Sequence, residues 1–114
     1  MIVFEAAPKE VGGSVVLWSH DDDDGEAVSE IGWMILPEFQ GLGLGKRAVR
    51  MLLMLARKDG QWGLVHAFPA TTNGPSNGIC RSLGFRLAGE RDVTFAGRVL
   101  RSNHWIINPA TDLA

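Results

Sequence analysis

The sequence predicts an α/β domain built on a mixed sheet with helices covering it. Three observations carry that expectation. Short alternating apolar runs joined by turns open the chain, strand and helix patterns alternate through its middle, and strand-rich runs return at its end. The resulting order is β-β-β-α-β-α-β-β. No repeat or linker interrupts the 114 residues, so residues 1–114 read as one domain with one modest core.

Each element has a local reason. IVFEA (2–6) alternates and reads as a strand, PKEVGG (8–13) as a turn, and SVVLWSH (14–20) as a second strand. DDDDGEA (21–27) is a solvated hairpin tip, because four successive Asp side chains diverge and do not converge on one ion. VSEIGWMIL (28–36) is a third strand stopped by Pro37. KRAVRMLLMLARKDG (46–60) spaces Val49, Leu52, Leu53 and Ala56 for one helix face, with Arg57 and Lys58 in the last turn and Gly60 just beyond. GLVHAFPA (63–70) is a fourth strand. TTNGPSNGICRSLGF (71–85) opens on capping residues, carries a short helix and closes at Gly84. FRLAGE (85–90) and VTFAGRVLRSNHWIIN (93–108) hold two or three strands, with a hairpin around Ala96-Gly97.

Composition excludes several classes. A net charge of -2 makes no electrostatic case for nucleic acid or an anionic membrane. The longest apolar helix is broken by Arg50 and is too short to span a bilayer, and MIVFEAAPKE has no basic start to serve as a signal peptide. The single Cys80 cannot form an intrachain disulfide, which fits a reducing cytoplasm. His20, His66 and His104 are too scattered for zinc spacing, so no metal is expected.

PEFQGLGLGKRAVR (37–50) is the informative stretch. Alternate glycines cost backbone entropy, and cations at a helix start oppose its dipole. Both penalties are offset if the strand-turn-helix junction holds a phosphate on outward-facing amides. A dinucleotide fingerprint from Gly41 fails at Lys46. From Gly43 it survives only with Ala48 in third place, and no acid follows in the next strand. A Walker A loop fails at Gln40 and Arg47. A tight turn without any ligand is the plain alternative.

The segment Gln40-Gly41-Leu42-Gly43-Leu44-Gly45 resembles the acetyl-coenzyme A loop, [QR]-x-x-G-x-[GA], of the GNAT superfamily of N-acetyltransferases. A second motif agrees with it: Asn73 stands eleven residues before Gly84-Phe85, as an Asn does before Gly-Phe in that family. Together the motifs cover about residues 28 to 90, and they are most similar to the branch that acetylates protein N-termini and small amines.

The resemblance implies transfer of acetyl from acetyl-CoA to a primary amine by direct attack. Met34, Ile35 and Leu36 would pair with the pantetheine arm, and a strand N–H near Met34 or Ile35 would polarise the thioester oxygen. The amides of Gly41, Leu42, Gly43, Leu44, Gly45 and Lys46, preceded by Gln40, would cradle the pyrophosphate, and Asn73 would bond the arm. Glu30 would be the general base, with His66 as runner-up. The family often has a Tyr four residues before the Gly of Gly-Phe as general acid. That position is Cys80 here, and the chain has no Tyr. Cys80 is either a weak donor or a small buried residue. The family's first strand and two helices are not found ahead of IVFEA, which leaves the acceptor groove open or completed by a second copy in a homodimer. The acceptor would be a small-molecule or peptide amine. The alternative is a CoA-binding module that has lost turnover.

Overall fold

The structure is a computed structural model that describes residues 2–5, 13–21, 25–35 and 43–114. The expected turn at 8–12, Asp22 to Asp24 of the acidic tip, and Leu36, Gln40, Gly41 and Leu42 lie outside the described residues.

Six strands and two helices follow in the expected order: β1 (Ile2–Glu5), β2 (Gly13–Asp21), β3 (Ala27–Ile35), α1 (Leu44–Asp59), β4 (Val65–Ala67), α2 (Gly74–Leu83), β5 (Arg86–Phe95) and β6 (Arg98–Ile107). The strands form one mixed sheet in the order β1-β2-β3-β4-β6-β5. The β1-β2-β3 and β4-β6-β5 halves are antiparallel internally. They meet at the parallel β3–β4 junction, which pairs only Ser29 with Val65 and Glu30 with His66.

Strand alternation decides which face is buried. Val15, Leu17 and Ile31 join Val65, Ala67, Trp105 and Ile107 in a core closed by Val49, Leu52 and Leu53 of α1 and Cys80 and Leu83 of α2. Truncating Leu52 or Leu53, both fully buried, to Ala would cost about 2–5 kcal/mol. The alternate residues, Trp18, Glu30 and His66 among them, point to the opposite face.

Three boundaries differ from the sequence reading, each for a physical reason. Helix α1 begins at Leu44, not Lys46, because Gly43 adopts a left-handed φ of 75° and serves as the N-cap. Strand β4 is three residues long, since Gly63 has φ 62° and Pro69 lacks a donor to extend the ladder. Strand β5 runs unbroken through Arg91 and Asp92, absorbing its irregularity in a register shift between Leu87 and Gly89. The β5–β6 turn is at Ala96-Gly97, both with positive φ (51° and 76°), the backbone that a two-residue hairpin requires.

Candidate functional site

Two clefts open where β3 and β4 part. The first, about 350 Å³, lies between the end of β3 and the N-termini of α1 and α2. It brings together seven residues singled out from the sequence: Met34, Ile35, Gly43, Leu44, Gly45, Lys46 and Asn73.

Its construction follows from the glycines. Gly43 turns the chain into α1 without a side-chain cap. The first helical hydrogen bond runs from Arg47 N–H to Gly43 O at 3.1 Å. The N–H groups of residues 44 to 46 therefore have no carbonyl one turn earlier within the helix. No acidic residue occupies that first turn. A Cβ on Gly43 would meet nothing within 4 Å, so the space beside its backbone is open. Gly45 has a different task. A Cβ there would lie 3.0 Å from Ile79 and 3.1 Å from Ile35, so its bare backbone lets α1 start close against β3 and α2.

Asn73 caps α2: its Oδ1 accepts from Ser76 N–H at 3.1 Å. The Asn73 carbonyl is bonded by Asn77 Nδ2 at 2.8 Å. Asn77 is the residue that the sequence reading missed. It is buried, donates also to Ala70 O at 3.0 Å, and accepts from Asn103 Nδ2 and Trp105 Nε1, both at 2.8 Å. This network ties α2 and the 70–73 turn to β6. An Asn in a short helix gives no sign of it until β6 is placed alongside.

The second cleft, about 360 Å³, is lined by Trp18, Glu30, Phe68, Val93 and Leu100 among others, and shares Trp33, Asn73 and Ser76 with the first. Trp33 Nε1 donates to Ser76 Oγ at 3.2 Å, so the two clefts meet at a hydrogen-bonded wall. Glu30 is half-buried, with His20 Nε2 3.6 Å from its Oε1. Burial pushes the Glu30 carboxyl above the ordinary carboxylate range, against the lowering effect of His20 and, more weakly, Arg91.

His66 is the Cα partner of Glu30, but its Nδ1 lies 2.8 Å from His104 Nε2 and it lines neither cleft. Burial, with Arg91 next, holds both imidazoles below the ordinary histidine value.

The structure corrects the expectation for Cys80. The thiol is fully buried in the core, lines neither cleft, and has its pKa pushed up to about 12 by burial. A donor so placed cannot reach a leaving group in the cleft. Among the described residues no group of three or more His, Cys, Asp or Glu could hold a metal ion, and no helix is long and apolar enough to cross a membrane.

Comparison with known proteins places this architecture. No curated protein matches the sequence. Among solved structures, a putative acetyltransferase of Salmonella typhimurium, solved with acetyl-CoA, superposes with a TM-score of 0.75 at 23% identity, covering 93% of this chain and 62% of that one. A ribosomal-protein-S5-alanine acetyltransferase of Vibrio fischeri gives 0.76 at 19% identity, covering 90% and 56%. A ribosomal-protein-alanine N-acetyltransferase of Brucella melitensis gives 0.78 at 21%, covering 93% and 67%. The chain thus spans about three-fifths of the length of the first two structures it matches. At these identities the superpositions establish the fold. The family model described as "Acetyltransferase (GNAT) domain" matches residues 1–86, three-quarters of the sequence. The chain belongs to the GNAT acetyltransferase family.

Proposed function

We propose that this protein transfers the acetyl group of acetyl-CoA to a primary amine of a small molecule or peptide. One observation supports this above others: the cleft at the α1 N-terminus and the cleft bearing Glu30 share the wall formed by Trp33, Asn73 and Ser76.

The residues present suit acetyl-CoA. The N–H groups of Leu44, Gly45 and Lys46 and the Lys46 ammonium form an anion-binding end without a competing acid in the first turn. We assign them to the pyrophosphate, together with Gln40, Gly41 and Leu42. The β3 backbone at Met34, Ile35 and Leu36 would pair with the pantetheine amides, and Asn73 would bond the same arm. Bound acetyl-CoA supplies an activated thioester. A main-chain N–H at Met34 or Ile35 would polarise its carbonyl. Glu30 would accept the proton that an ammonium must lose before attack, and burial suits it to that task by raising its affinity for the proton.

A second reading, a CoA-binding module without turnover, draws on the burial of Cys80 at the family's general-acid position. Steady-state thiol release with acetyl-CoA and a panel of primary amines separates the two. Turnover supports the transferase, and stabilisation by acetyl-CoA without turnover supports the module. We also propose a cytoplasmic location, from the lone cysteine, and a homodimer, from exposed Leu87, Val99 and Leu100 on β5 and β6. A monomeric mass by light scattering at micromolar concentration would remove the dimer.

A further inference from the structure

We infer that the acceptor is a primary amine with one positive charge and an aromatic or branched apolar body, and is not a polyamine. The inference rests on the acetyltransferase reading above and narrows its substrate class.

The Glu30 cleft carries the argument. Its walls are Trp18, Trp33, Phe68, Val93 and Leu100. Glu30 is the one charged residue among the described residues that line it. One ammonium placed at Glu30 is neutralised, and the proton it gives up goes to that carboxylate. A second ammonium within the cleft would lose its hydration without finding another carboxylate there.

A cation of the protein is already stationed nearby. The Arg91 guanidinium sits 5.2 Å from the centre of the Phe68 ring, and its charge is felt at Glu30, His66 and His104. This opposes further positive charge on the substrate. The acidic turn offers no substitute inside the cleft. Asp21 is exposed and stands three positions past Trp18, roughly 10 Å along the strand. An extended polyamine reaching for it would run past His20, which already pairs with Glu30. An aromatic or branched body, by contrast, buries apolar area against two indoles and a phenyl ring.

The test uses the full chain with saturating acetyl-CoA and four amines: ethylamine, isoamylamine, phenethylamine and spermidine. Thiol release should give kcat/KM for phenethylamine and isoamylamine at least about tenfold above both ethylamine and spermidine. In parallel, tryptophan fluorescence of the CoA-saturated protein should report binding of phenethylamine in the same order of preference. Arg91→Glu should raise the spermidine-to-phenethylamine ratio about fivefold by replacing repulsion with attraction. Spermidine equal to or better than phenethylamine in both readouts would overturn this inference and leave the acetyltransferase reading standing. Absence of turnover with every amine, joined to absence of stabilisation by acetyl-CoA, would remove both.

Discussion

Glu30 on β3 and His66 on β4 face each other as the last pair of the parallel register. β3 continues to Ile35, whereas β4 ends at Ala67, and both clefts lie beyond that fork. The half-buried carboxylate therefore stands where the sheet divides. A short parallel junction between two antiparallel halves is enough to create an opening in an otherwise continuous sheet.

Glu30→Gln should lower kcat by about 10²–10⁴-fold, the range of general-base contributions, with acetyl-CoA affinity nearly unchanged. In the unsubstituted enzyme, kcat/KM should fall on the acid side around a pKa above the ordinary carboxylate value. That limb should vanish in the variant. Stability moves the other way. A carboxyl whose folded pKa is raised stabilises the fold when protonated, and that contribution is lost as pH rises through the folded pKa. Glu30→Gln should therefore raise Tm at pH 7 and lose this advantage below about pH 4, as calorimetry would show.

The His66–His104 pair sets a pH dependence of opposite sign. Their 2.8 Å contact needs one ring nitrogen to donate and the other to accept, so at least one imidazole is neutral there. Both pKa values are lowered from 6.5 by burial, with Arg91, His20 and the other imidazole adding positive charge nearby. Depressed histidine pKa values give stability that is present above pH 6.5 and lost as pH falls through the folded values. Tm should decline on acidification below that point. His104→Phe preserves a ring beside Phe68, now 4.7 Å away, and removes one titration, so its Tm profile should be flatter.

Gly84 and Gly60 both adopt left-handed backbone, with φ 96° and 76°, but in different surroundings. A Cβ on Gly84 would lie 2.5 Å from Asp112 O, against the C-terminal segment whose Ala114 N–H bonds Leu83 O at 3.0 Å. A Cβ on Gly60 would meet nothing within 4 Å. Gly60→Ala should cost only the αL penalty, about 1–2 kcal/mol. Gly84→Ala should cost more, because backbone must also move. Denaturant unfolding of the two variants would show the difference.

Asn77→Leu would leave the Trp105 Nε1 donor and the Asn73 and Ala70 carbonyls without their side-chain partner. A loss of about 1–3 kcal/mol is expected for each buried group left unsatisfied. Because Asn77 also anchors the turn that carries Asn73, acetyl-CoA affinity should weaken, as a titration of the folded variant would reveal.

Local pattern made much of this fold legible. Val49, Leu52, Leu53 and Ala56 marked one face of α1, Gly60 marked its end, and the Val15-Leu17 alternation marked the buried face of β2. The glycine run pointed to the right junction, yet its chemistry split on inspection: Gly43 supplies a left-handed turn and Gly45 a close approach. Features built from distant residues were not legible. The Glu30–His66 register depends on a parallel pairing across a crossover. Asn77 acquires its role only from β6 and the 70–73 turn, and Cys80 could not be placed in the core before α2 was docked.

Isothermal titration of the native chain with acetyl-CoA, paired with Lys46→Glu, tests the central claim most directly. One molecule should bind per chain, with at least about tenfold weaker binding in the variant, since an acid at a helix N-terminus would repel a pyrophosphate. A folded native protein that releases no heat and gains no thermal stability with acetyl-CoA, or a Lys46→Glu variant that binds equally well, would contradict it.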